Sequence, residues 1–122
     1  MRVGFIGVGN IGRPMASKIL EAGYSLIVYD LSRDSATPLL EIGATWAASP
    51  AELAAQCDVI CTCLPGPAEM EQVALGDGGV IDGINPGSIY VDHTTNSPSL
   101  VKRVHEEIVA RGAHMLDAPV SG

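Results

Sequence analysis

Val3-Gly4-Phe5-Ile6-Gly7-Val8-Gly9-Asn10-Ile11-Gly12 and, further along, Ser25-Leu26-Ile27-Val28-Tyr29-Asp30 decide how this chain is read. An apolar strand runs into a Gly-x-Gly-x-x-Gly string. A helical pattern follows, and a second apolar strand ends on a carboxylate. Glycines cluster in many turns, so the string alone says little. Placed between a strand and a helix, with an acid closing the next strand roughly 20 residues on, it marks a dinucleotide-binding βαβ unit. Gly7 lets the chain leave the strand in a tight turn. Gly9 keeps side chains out of the path of a pyrophosphate, and Gly12 lets the helix pack close to the strand. A helix starting near Asn10 or Ile11 turns free N–H groups and the positive end of its dipole toward the phosphates. Asp30 can accept hydrogen bonds from the adenosine ribose hydroxyls and would repel a 2′-phosphate, which favours NAD. Arg33, just past the strand, could pair with such a phosphate and keeps NADP open.

At 122 residues the chain reads as one domain, residues 1–122. Apolar residues make up 47% of it and aromatics only 4%, so aliphatic side chains and alanine must fill the core. That balance suits an α/β sheet with closely packed helices. The formal net charge of −7 argues against nucleic acid or an anionic membrane as partner. An anionic cofactor must then be held by local dipoles and a few cations. Met1 leads directly into the first strand, with no basic leader and no apolar run approaching the roughly 20 residues of a membrane span. A cytoplasmic location is expected. Cys57, Cys61 and Cys63 lie in or beside one apolar strand, with Cys61 and Cys63 on the same side of it. They read as small buried thiols of a reducing compartment, not as a metal site, because ligands are too few.

Strand and helix alternate along the chain. Strands are expected over residues 2–8, 24–30, 58–64, 88–91 and 113–116, with a short one at Thr45 and Trp46. Helices are expected over residues 11–22, with Ile11, Met15 and Ile19 on one face, and over 32–42, interrupted by Pro38. Ser49-Pro50-Ala51-Glu52 is a capping-box pattern that opens a helix to about Gln56. Residues 68–75 read as helix and 76–87 as a turn-rich connection. Ser97-Pro98 caps a helix to about Ala110 with Leu100, Val101, Val104 and Ile108 inward. The alternation predicts a Rossmann-type, doubly wound parallel sheet of strand order 3-2-1-4-5-6, with ligand at the carboxyl ends of the strands.

That rule selects four strand exits, expected to line one crevice: Asp30; Leu64-Pro65-Gly66; Asp92-His93-Thr94-Thr95; and Asp117 to Gly122. Leu64 and Pro65 offer a rigid apolar wall. Thr94 or Thr95 can either bond the nicotinamide side of a cofactor or form a plain turn. Ser121 and nearby N–H groups suit a substrate carboxylate, with an ordinary turn as the alternative. His93 is the one histidine placed to reach the crevice. His105 lies among helix-surface acids, and His114 starts a strand away from the site.

Gly4-Phe5-Ile6-Gly7-Val8-Gly9-Asn10-Ile11-Gly12-Arg13-Pro14-Met15-Ala16 resembles the amino-terminal signature of the β-hydroxyacid dehydrogenases. Asp117-Ala118-Pro119-Val120-Ser121-Gly122 resembles that family's substrate-binding motif. Cys63-Leu64-Pro65 and Asp92-His93-Thr94-Thr95 fall where the family has a cofactor-contacting Leu-Pro and an Asp-x-Ser/Thr-Ser/Thr stretch. The resemblance covers the whole chain. It implies that Gly7, Gly9, Asn10, Ile11 and Gly12 hold the pyrophosphate and that Asp30 holds the ribose. It implies cofactor contacts at Leu64, Pro65, Glu69 and Thr95, and a substrate carboxylate at Ser121 and Gly122. Ile11 stands where the family usually has Met, and Thr94 where it usually has Ser. The family's catalytic lysine, in a Gly-x-x-Gly-x-Gly-x-x-x-Lys motif, lies downstream of Gly122. So does its helical second domain, which carries the oligomer interface. Lys18 and Lys102 match no such motif, so no catalytic residue is assigned in this chain. The implied activity interconverts a small 3-hydroxy acid and its semialdehyde with NAD or NADP, in a homo-oligomer. The alternatives are a non-catalytic NAD-binding module, or an imine-reductase-like or 6-phosphogluconate-dehydrogenase-like relative.

Overall fold

The computed structural model describes residues 1–119. Six strands form one sheet: β1 (Arg2–Ile6), β2 (Ser25–Tyr29), β3 (Thr45–Trp46), β4 (Val59–Thr62), β5 (Ile89–Asp92) and β6 (His114–Asp117). Their order is β3-β2-β1-β4-β5-β6, and every neighbouring pair is parallel. The expected doubly wound order is the observed one. The helices are α1 (Gly12–Glu21), α2 (Arg33–Glu41), α3 (Pro50–Gln56), α4 (Pro67–Leu75) and α5 (Pro98–Ala110).

Two apolar layers sandwich the sheet, which is why its strands read as continuous rather than alternating apolar runs. On one face Val3, Phe5, Leu26, Val28 and Cys61 pack against Ala16 of α1 and Ala36 and Leu39 of α2. On the other, Ile6, Ile27 and Ile60 pack against Leu53 of α3, Met70 and Val73 of α4, and Val104 and Ile108 of α5. Ser49 caps α3 through Glu52 N–H at 3.0 Å, and the Glu52 carboxylate reaches back to accept from Ala48 N–H at 2.6 Å. The capping box therefore closes one residue earlier than its usual reciprocal form. Ser97 caps α5 through Leu100 N–H.

Two local expectations are corrected, and a third is refined. Helix α1 starts at Gly12, not at Asn10 or Ile11, and its buried residues are Gly12 and Ala16. Ile11, expected on the core face, is 61% exposed, while Met15 and Ile19 are only half-buried. The small residues are innermost because the helix end lies so close to the sheet. Helix α2 runs through Pro38 without interruption. Pro38 and Asp34 are both exposed, so water can solvate the Asp34 carbonyl that loses its helical donor. The connection over residues 76–87 contains a 3-10 turn, Val80–Asp82, whose Val80 and Ile81 are buried in the core.

Candidate dinucleotide-binding site

The glycine turn joins β1 to α1 and lies over the exits of β2 and β4. Gly7 has φ of 91°, and a Cβ there would sit 2.2 Å from the Cys63 carbonyl oxygen. A Cβ on Gly12 would sit 1.9 Å from the Gly7 carbonyl oxygen. Neither position admits a side chain. Gly9 differs: a Cβ there meets nothing within 4 Å and would project into open space. The three glycines thus differ in their surroundings: Gly7 makes the turn, Gly9 faces open space and Gly12 packs the helix against it. Arg13 N–H closes the first helical bond onto the Gly9 carbonyl at 2.9 Å, which leaves the N–H groups just ahead of it free at the helix end.

Asp30, at the exit of β2, fixes this turn. Its Oδ2 accepts from Val8 N–H and its Oδ1 from Ser32 N–H, both at 2.9 Å. Gly7 N–H donates to the Tyr29 carbonyl at 3.0 Å. A carboxylate oxygen has more than one lone-pair direction, so Asp30 keeps capacity for ribose hydroxyls while it holds the loop.

A cleft of about 660 Å³ opens between these elements, a size suited to small-molecule and cofactor sites. Its lining includes Gly7, Gly9, Asn10, Ile11, Gly12, Asp30, Leu64, Pro65 and Glu69. Nine of the ten predicted cofactor positions therefore meet around one space. The tenth, Thr95, is exposed at the β5 exit and is not among the lining residues. Ser121 and Gly122, the predicted substrate contacts, lie outside the described residues. The lining also includes Leu31, Ser35, Ala68, Gln72 and Val73, which sequence reasoning passed over. Leu31 was open to discovery: it follows Asp30 directly and is 84% exposed, an unusual place for leucine. No lysine or arginine lines the cleft among the described residues. An anion here is met by backbone N–H groups and the α1 dipole.

The expectation that all four strand exits line one crevice is corrected at Asp92 and Thr94 of the β5 exit; residues 120–122 of the fourth exit lie outside the described residues. Asp92 is fully buried and Thr94 nearly so, which closes both to a ligand. The Asp92 carboxylate accepts from the Thr62 hydroxyl at 2.8 Å, from Thr94 N–H at 3.0 Å and from the Asn96 amide. Tyr90 Oη lies 3.0 Å from Thr62 Oγ1, which can accept once its own proton points at Asp92. Burial pushes the Tyr90 phenol well above its ordinary range, so it stays a donor. The Thr94 hydroxyl accepts from Leu64 N–H at 2.9 Å, tying the β5 exit to the cleft wall. Of the two readings of Thr94, the turn is the one observed. His93 stacks parallel to Phe5, with ring centroids 6.3 Å apart, and its Nδ1 lies 2.9 Å from the Ala118 carbonyl. A carbonyl only accepts, so the proton sits on Nδ1. Burial, with a smaller push from Asp92, raises the Asp117 carboxyl above its ordinary value.

The three cysteines are free. Burial raises Cys57 and Cys61 to about 11. Cys63, at the cleft wall, is also raised, by burial first and by the Asp92 charge second. None is an activated thiolate. No cluster of His, Cys, Asp or Glu among the described residues could hold a metal ion. No helix among them is long and apolar enough to cross a membrane.

The sequence profile of the NAD-binding domain of 6-phosphogluconate dehydrogenase matches residues 2–122. The chain is an NAD-binding domain of the β-hydroxyacid dehydrogenase family. This NAD-binding domain is 42% identical over 120 residues to mitochondrial 3-hydroxyisobutyrate dehydrogenase of Mus musculus, covering 98% of the chain and 36% of that protein. It superimposes on 3-hydroxyisobutyrate dehydrogenase from Salmonella typhimurium with TM-score 0.91 and 35% identity, covering 100% of the chain and 42% of that one. Psf3, solved in complex with NADP+ and 2-OPP, gives TM-score 0.89 and 31% identity over 98% of the chain and 43% of its own. An imine reductase from Myxococcus stipitatus, in complex with NADP+, has TM-score 0.88 at 22% identity and shares the fold alone. The NAD-binding domain thus spans well under half the length of these relatives.

Proposed function

We propose that this NAD-binding domain holds NAD across the carboxyl ends of β2, β1 and β4, in an oxidoreductase of the 3-hydroxyisobutyrate dehydrogenase type. One observation carries the reading. Gly9 presents bare backbone to open space beside the free end of α1, with Asp30 fixed at the neighbouring strand exit. The pyrophosphate lies over Gly9, Asn10, Ile11 and Gly12. The ribose hydroxyls bond Asp30. The nicotinamide end runs toward Leu64, Pro65 and Thr95, with Glu69 on the same wall. A 2′-phosphate would face the Asp30 carboxylate, so NAD is the preferred partner and NADP the weaker one.

The cofactor, when bound, supplies hydride transfer; the protein positions and shields it. The substrate is a small 3-hydroxy acid or its semialdehyde, its carboxylate held at Ser121 and Gly122. Reduction of a carbonyl also needs a proton donor, and no lysine lines the cleft among the described residues. That donor is assigned to the part of the relatives that this chain does not span. The test is an assay of the intact protein with NADH and NADPH against a panel of semialdehydes and glyoxylate. NADH-dependent reduction of a 3-oxo acid of this class is expected. NADH binding without turnover of any carbonyl would favour a non-catalytic module instead.

A further inference from the structure

Arg33 is the cation nearest in sequence to the ribose end of the cleft, three residues past Asp30, yet it is absent from the cleft lining. Its guanidinium carbon lies 5.2 Å from the centre of the Trp46 ring. That is within the range of a cation–π contact, and a guanidinium stacks well on indole. Trp46 ends β3, in register with Val28 of β2, and the Tyr29 ring lies against it at 5.4 Å and 31°. The indole is therefore a propped surface. Neither ion pair among the described residues involves Arg33, so the indole is the partner the structure gives it. Asp30, by contrast, is pinned by two backbone N–H groups, with exposed Asp34 beside Arg33 in the first turn of α2.

We propose that Trp46 determines cofactor choice by holding the Arg33 guanidinium on its ring face, away from the ribose. This rests on the reading that the cleft binds a nicotinamide dinucleotide. With Arg33 stacked, a 2′-phosphate meets the Asp30 carboxylate and no available cation among the described residues. To pair with the phosphate, Arg33 must leave the indole. Removing the ring face removes that cost and turns Arg33 into a phosphate ligand. Trp46 is a positioning residue here: it touches no cofactor and acts through Arg33.

The test measures NADH and NADPH dissociation constants on the intact protein by nicotinamide fluorescence, which does not depend on the chain's single tryptophan. Trp46→Leu should raise NADPH affinity relative to NADH by roughly two- to five-fold, the worth of an exposed cation–π contact. Trp46→Phe keeps a ring face and should shift the ratio less. Arg33→Ala alone should leave the ratio near that of the unmodified protein, and Trp46→Leu combined with Arg33→Ala should return it there. A selective loss of NADPH binding in Arg33→Ala would overturn the proposal, because Arg33 would already be reading the phosphate. An unchanged ratio in Trp46→Leu would overturn it too. Arg33→Ala needs no change in the core, so its result stands even if Trp46→Leu folds poorly. Failure of the unmodified protein to bind either dinucleotide would sink the cofactor reading itself, and the proposal with it.

Discussion

Asp30 holds the glycine turn with its carboxylate and is proposed to take the ribose with it as well; only the second role can be read from sequence. Its position at the end of an apolar strand marks it as a ribose acceptor. Its bond to Val8 N–H, 22 residues away in the chain, depends on how β1 and β2 pair. Asp30→Ala should therefore have two effects. It should weaken NADH binding more than NADPH binding, and it should lower stability by about 1–3 kcal/mol, because Val8 N–H is buried and loses its acceptor. Titration of both cofactors and a denaturant melt check this. Equal loss for the two cofactors would mean that Asp30 does not read the ribose. Asp92 is the reverse case. Its sequence position suggested a crevice, but three donors converge on it inside the protein. Asp92→Ala removes the acceptor the three share and should cost about 3 kcal/mol or more in a denaturant melt, with Asp92→Asn costing less. A change below about 1 kcal/mol would contradict the network.

Among the elements, those with end signals were the most legible. Ser49-Pro50 and Ser97-Pro98 place the starts of α3 and α5 because a cap is local chemistry. The start and core face of α1 were not, because the approach of Gly12 to Gly7, not the spacing of large residues, sets how the helix sits. Pro38 misled for a related reason: the break it usually causes is avoided when the freed carbonyl is in water. Strand β4 and its leading turn carry a pH prediction. Cys57 and Cys61 hold their protons more tightly in the fold, at about 11 against an ordinary 9.0. Between those values the native state binds more protons than the unfolded chain, so stability falls as pH rises. Their contribution is complete below about pH 9 and is lost on the way to about 11. The melting temperature should drop across that window, and native Cys57 and Cys61 should resist alkylation at neutral pH until the protein unfolds. Rapid native alkylation would show that they are not buried as described.

At the scale of the molecule, strand order followed from alternation together with the dinucleotide-binding glycine turn: four of the five crossovers join parallel neighbours, and the one from β3 to β4 passes back over β2 and β1 to start the second half of the sheet. The single crevice did not follow. Asp92 and Thr94 at the β5 exit bond one another and the cleft wall, so these two residues stiffen the site instead of lining it. Nor could sequence show that, among the described residues, the lining lacks lysine and arginine in a chain of net charge −7. With dipoles and N–H groups holding the cofactor, as proposed, NADH affinity should depend only weakly on salt up to about 0.5 M; a steep decline would point to cations that do not line the cleft among the described residues. The proposed site puts the dinucleotide on the backbone over Gly9. It is tested by titrating NADH into the intact protein and its Gly9→Ala variant, with a melt of each. A Cβ at Gly9 touches nothing in the protein. Gly9→Ala should leave the melting temperature unchanged and lose NADH binding by at least about ten-fold, roughly 1.4 kcal/mol. Gly9→Ala binding NADH as tightly as the unmodified protein would contradict it.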